Sequence, residues 1–136
     1  MKLNPYLIFL GNAEDVLNFY HKVLGGEITM ISRYSDGPMP CDDDWKNKIM
    51  HSRLEFDGNM IMISDTMKGM MDGTVGGNIH MSVEVESVEK VDKVFAAMSE
   101  GGKVEMPLEN TFWGARFGML KDKFGVAWMF NCELKK

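Results

Sequence analysis

GGEI at residues 25–28 and GGKV at residues 101–104 are the two stretches from which the fold can be read. Each follows a run with helical spacing of apolar residues and precedes an apolar run, and a fixed repeat distance is the mark of a duplicated unit. Reading back from the first pair, Val16, Leu17, Phe19, Tyr20, Val23 and Leu24 recur at helical spacing. Asn12 precedes them as a good N-cap, with Glu14 and Asp15 favourable to the dipole of the first turn. Before that, YLIFL (residues 6–10) is a short unbroken apolar run between Pro5 and Gly11, which reads as a buried strand. Reading forward, residues 27–34 form a strand and residues 35–48 an acidic, turn-rich loop. Residues 49–56 and 60–65 are two strands joined by Asp57-Gly58-Asn59, a strong hairpin signal.

The same order returns around the second pair. Residues 79–85 read as a strand, and Ser87 caps a helix whose apolar face is Val88, Val91, Val94, Phe95 and Met98. A strand begins at residues 103–106, and residues 113–121 and 126–131 supply two more. The expectation is a single α+β domain of two βαβββ modules, one over about residues 1–65 and the other over about 79–136. A glycine-rich connector, residues 66–78, joins them. Two such modules curve into a cupped mixed sheet, with helices outside and a ligand cavity inside.

Bulk properties narrow the function classes. A chain of 136 residues buries roughly two-thirds of its unfolded surface, enough for one core. The net charge of −5, with lysines and arginines scattered, argues against a nucleic-acid surface. The apolar run near the N-terminus is too short for a signal peptide or a membrane span. Cys41 and Cys132 show no CxxC spacing, and a reduced, cytoplasmic setting is the default. Fourteen methionines are unusual and suit either irregular core packing or an adaptable ligand wall.

Three segments carry a resemblance that covers essentially the whole chain: FLGNAEDVLNFYHKVLGGE (residues 9–27), HSRLEFDGNMIMISD (51–65) and GGKVEMPLENTFWGARFGMLKDKFGVAWMFN (101–131). They resemble the PhnB-like branch of the vicinal-oxygen-chelate (glyoxalase/bleomycin-resistance/dioxygenase) superfamily. The last is the most specific, a WG-R-FG pattern followed by D-FGV-W. The methyltransferase label that some members carry does not suit this chain, which lacks the glycine-rich strand–turn–helix such an enzyme would need.

Metal-dependent members of that superfamily hold a divalent ion with one residue from the first and one from the last strand of each module. Carried over, the four places fall on Pro5, Met62, His80 and Met129. His80 alone has a donor suited to such an ion, since proline has none and a thioether is a poor ligand for a hard cation. Asn78 takes His80's place if the strand slips by two residues, and Glu133 reaches one position if the last strand runs long. The expectation is therefore no metal, no cofactor and a small-molecule ligand held by His51, Met62, His80, Trp113, Arg116 and Met129. Trp113 and Arg116 offer an aromatic plane beside a guanidinium, suited to a flat or anionic molecule, and equally to packing and an ion pair. His51, with Ser64 and Asp65 across its hairpin, reads as a His–carboxylate pair, either structural or a general base. The alternative function is a lyase, isomerase or dioxygenase working around His80 and His51. Residues 35–48 and the methionines at 67, 70 and 71 are candidate lids. The resemblance also implies a homodimer, and two-fold dimers are the commonest soluble oligomers.

Overall fold

The computed structural model describes residues 1–38, 40–66 and 79–135, within two compact units, Met1–Thr74 and Val75–Lys136. Most of the connector, including its four glycines, Met67, Met70, Met71 and Asn78, lies outside the described residues. Unit 1 runs β1 (Tyr6–Phe9), α1 (Ala13–Leu24), β2 (Glu27–Arg33), β3 (Ile49–Phe56) and β4 (Asn59–Asp65). Unit 2 runs β5 (Met81–Glu84), α2 (Val88–Met98), β6 (Lys103–Asn110), β7 (Ala115–Lys121) and β8 (Ala127–Glu133). Each makes a four-stranded mixed sheet, ordered β1-β4-β3-β2 in one and β5-β8-β7-β6 in the other. The first strand of each lies parallel to the last, and the remaining pairs are antiparallel. These are two βαβββ modules of the glyoxalase-like α+β fold. Among the described residues no helix is long and apolar enough to cross a membrane.

In both units the helix covers one face of its sheet. Ala13, Val16, Leu17 and Tyr20 of α1 are buried, as are Leu54, Ile61 and Ile63 on β3 and β4. Val91, Phe95 and Met98 of α2 are buried, as are Leu120, Trp128, Phe130 and Cys132 in unit 2. Phe95 meets Phe130 edge-on at 5.8 Å, and Trp128 stacks on Phe130 at 6.0 Å between centroids. Each large apolar side chain buried in this way contributes about 1.5–3 kcal/mol. The repeated glycine pair has a packing reason as well as a turning one. A Cβ on Gly26 would overlap the carbonyl oxygen of Glu55, and one on Gly102 that of Lys121.

The start of α1 differs from expectation. The side chain of Asn12 makes no capping bond. The donors there go instead to Asp65 at the end of β4, whose Oδ1 accepts from the backbone N–H of Gly11 at 2.7 Å and of Ala13 at 2.9 Å. Its Oδ2 accepts from the N–H of Ile49 at 3.0 Å. A cap supplied from so far along the chain leaves no local signal. In α2 the expected cap is present, with Ser87 Oγ accepting from Lys90 N at 3.1 Å.

The described residues of 34–48 are anchored rather than a free lid. They contain two short 3-10 turns, Tyr34–Asp36 and Asp43–Trp45. Tyr34 Oη donates to Asp65 O at 2.8 Å, Trp45 Nε1 to Thr66 O at 3.0 Å and Lys48 Nζ to Gly11 O at 2.8 Å. Burial is the main cause that raises the Tyr34 hydroxyl pKa, with Asp65 adding to it. Strand β6 runs past Pro107 to Asn110, longer than the sequence suggests. It is an edge strand with register shifts on either side of Met106, where a proline is tolerated.

Replacing Asp65 by Ala orphans three backbone donors and should cost at least about 3 kcal/mol in urea unfolding. Asn12→Ala should cost less than about 0.5 kcal/mol, against the typical cap loss of about 1 kcal/mol. Equal losses from the two variants would contradict the long-range cap.

Candidate functional site

With one face of each sheet covered by its helix, strand alternation fixes which side chains point the other way. In unit 1 the register aligns Tyr6, Met62, Arg53 and Met30 across β1, β4, β3 and β2 as one row on the helix-free face. The next row is Ile8, Ser64, His51 and Ser32, with the β3–β4 register continued two residues past its last pair. Tyr6 Oη lies 3.1 Å from His51 Nδ1, and their rings tilt together at 5.6 Å. His51 and Met62 therefore share a face, as expected from the sequence. Toward the hairpin the row is Met60, Glu55 and Glu27. An open groove there takes in Arg53 together with Lys2, Asn4 and Asp57.

The expected His51–carboxylate pair is not formed. Asp65 is one residue out of phase with His51 and turns its carboxylate to the backbone donors of Gly11, Ala13 and Ile49. The imidazole pKa consequently moves the opposite way to that expected beside an acid. Burial lowers it, and the positive charge of Arg53 lowers it further.

In unit 2 the corresponding row is Ser82, Met129, Met119 and Met106, followed by Glu84, Asn131, Phe117 and Glu109. Met129 is thus on the helix-free face, and its neighbours there are thioethers. His80 is exposed and lies just before β5, two residues ahead of Ser82. Trp113 sits in the turn before β7, 57% exposed, edge-on to Phe112 at 5.0 Å and to Phe117 at 6.0 Å. Phe112 is 96% exposed and is the largest aromatic surface that the sequence reading passed over.

Arg116 does not join this face. It pairs across β8 with Cys132, on the side that α2 covers. Its Nε donates to Asp92 Oδ1 at 2.6 Å and its Nη1 to Asn110 Oδ1 at 3.1 Å. Its charge is engaged by the helix, and period two within β7 already separates it from Met119, an odd number of residues away. Tyr6, Arg53, Met30, Phe117, Met119 and Met106 are the residues that sequence reading missed. Alternation along the strands was the available signal for Tyr6, Arg53, Phe117 and Met119. The bulges in β2 and β6 hid Met30 and Met106.

The donor set does not suit a divalent ion of the superfamily type. Met62 N donates to Pro5 O at 3.0 Å, but the residue in register with Met62 is Tyr6, so Pro5 is one residue out of phase with that face, and the two places offer a ring carbon and a thioether. Glu133 does continue β8 on the helix-free side of its alternation. Among the described residues, however, no three His, Cys, Asp or Glu side chains group as a metal would require.

A family model described as Glyoxalase/Bleomycin resistance protein/Dioxygenase superfamily matches residues 2–130. Protein YjdN of Escherichia coli (strain K12) is 32% identical over 96% of this chain and 95% of its own length. The crystal structure of protein PA1353 from Pseudomonas aeruginosa superposes with a TM-score of 0.90 at 42% identity, covering 99% of both chains. The PhnB protein from Bacillus cereus gives 0.82 at 30% identity, over 97% of this chain and 99% of that one.

Because its folded pKa is depressed, His51 stays neutral while the unfolded chain takes up a proton near the ordinary value of 6.5. Its contribution to stability is complete above that value and is lost as pH falls from there through the folded pKa. NMR titration of the imidazole should give a midpoint below 6.5 that moves back toward it in Arg53→Met. A midpoint above 6.5 would mean that a carboxylate partner had been missed.

Proposed function

This chain belongs to the Glyoxalase/Bleomycin resistance protein/Dioxygenase superfamily, and from that premise we propose that it binds a small organic molecule on the helix-free face of a sheet, without a metal. The observation that carries this reading is the aligned rows themselves. The row Met106, Met119 and Met129 with Phe117 beside it in unit 2, and the row Tyr6, Met62, Arg53 and Met30 in unit 1, place adaptable apolar side chains beside a few polar groups. That is the usual composition of a ligand site. Thioethers conform to varied shapes, and the aromatic edges of Trp113 and Phe112 suit a flat body. His80 and Met129 serve here as contact residues, not as ligands to an ion.

A second reading, an enzyme of the superfamily, is favoured by the Tyr6–His51 hydrogen bond. A neutral imidazole beside a phenol can accept a proton from a bound substrate. Replacement of His51 by Gln would then abolish turnover and leave ligand binding in place. We also propose a homodimer. The strands β1, β2, β5 and β6 are each at an edge of their own sheet, and a second copy is the commonest partner for such edges.

Native mass spectrometry of the purified protein tests the main reading. The expected spectrum shows two chains, a small organic adduct and no divalent ion. About one zinc, nickel, iron or manganese per chain would overturn the metal-free reading.

A further inference from the structure

The eight residues of the two rows in unit 1 include one permanently charged group, the guanidinium of Arg53. It lies on a central strand, flanked by the thioethers of Met62 and Met30, and makes no hydrogen bond or ion pair with any described residue. The other two arginines, both half-buried, do find partners. Arg33 makes a two-point bond to Glu14, and Arg116 is held by Asp92. On the His51 side of Arg53 the polar groups in register are the Tyr6 phenol, the His51 imidazole and the hydroxyls of Ser32 and Ser64, while Lys2, Asn4 and Asp57 line the groove on its hairpin side. Hydroxyls and an arginine fork are donors matched to oxygen anions. The acids nearest in register, Glu27 and Glu55, lie one row toward the hairpin, on the side of Arg53 away from His51. With Asp57 they repel an anion from the groove, and among the described residues of these rows the His51 side carries no acid.

We propose that the ligand of this face is an organic molecule bearing an anionic oxygen group, held by Arg53 and the Tyr6 hydroxyl, with its apolar body along Met62 and Met30. This rests on the small-molecule reading above and names the chemical class that the face selects. Neutral analogues of the same body forgo the arginine contact and bind less tightly.

A matched pair of fluorescent probes tests it, anilinonaphthalene sulfonate and its neutral parent phenylnaphthylamine, titrated into the full-length protein. Arg53→Met should weaken the sulfonate about tenfold or more and leave the neutral probe within about twofold. Arg53→Lys should recover part of the loss. Lys121→Met, which removes a cation from unit 2, should change neither probe. Equal sulfonate affinity in wild type and Arg53→Met would overturn the anion proposal, as would a loss seen with Lys121→Met in its place. If neither probe binds the wild-type protein, the small-molecule reading itself fails. That outcome is distinct from a site that binds both probes alike.

Discussion

The carboxylate of Asp65 ties together the parts of unit 1 that have to meet. It ends β4, yet its two oxygens hold the turn between β1 and α1 and the first residue of β3. The helix start, the parallel β1–β4 pair and the entry to the central hairpin are thereby fixed relative to one another. Residues 34–48 lean on the same place, through Tyr34 on the Asp65 carbonyl and Trp45 on the next. Removing the carboxylate would therefore strand donors in three elements at once, whereas loss of a surface ion pair such as Arg33–Glu14 costs little. In unit 2, Asp122 does similar work within one hairpin. It accepts from Phe124 N, Val126 N and Trp128 Nε1 and so seats the largest core side chain.

The two units keep a shared framework and differ in the chemistry of their helix-free faces. Both pack the second glycine of the pair against a neighbouring strand's carbonyl, and both bury a helix against two inner strands. Those constraints bind backbone and helix-side residues and leave the opposite face free to vary. Where unit 1 carries Arg53 and His51, unit 2 carries Met119 and Phe117 at the matching points of its rows. The helix-free face of unit 1 therefore offers hydrogen-bond donors, and that of unit 2 thioethers with aromatic edges.

The sequence made the framework legible because its signals are local. The glycine pairs, the amphipathic helices and the Asp57-Gly58 turn each act within a few residues, and the element order follows from them. Contacts across long sequence distances were not legible. Asn12 has the chemistry of a cap, but an acid on β4 occupies the role. The site was legible in part. Met62, His51 and Met129 follow from strand parity, and the structure places each on a helix-free face. Arg116 follows the same parity onto the helix-covered side with Cys132, and its partner Asp92 lies on a helix whose rotation the sequence alone does not fix. The turn at Gly114, with φ of 86°, also breaks any count of alternation carried from Trp113 into β7.

The methionine row of unit 2 has a consequence for the protein's chemical lifetime. Met106 is 47% exposed, and Met119 and Met129 beside it are half-buried, so oxidants reach this row more readily than the helix-side core. Each sulfoxide formed there turns a pliable apolar contact into a rigid, polar and chiral one. The helix-side core holding the unit together, sheltered behind Trp128 and Phe130, would not register the change. Oxidative ageing of this protein should thus alter the chemistry of this face long before it erodes how the chain folds, and a reductase for methionine sulfoxide would restore the face without refolding the chain.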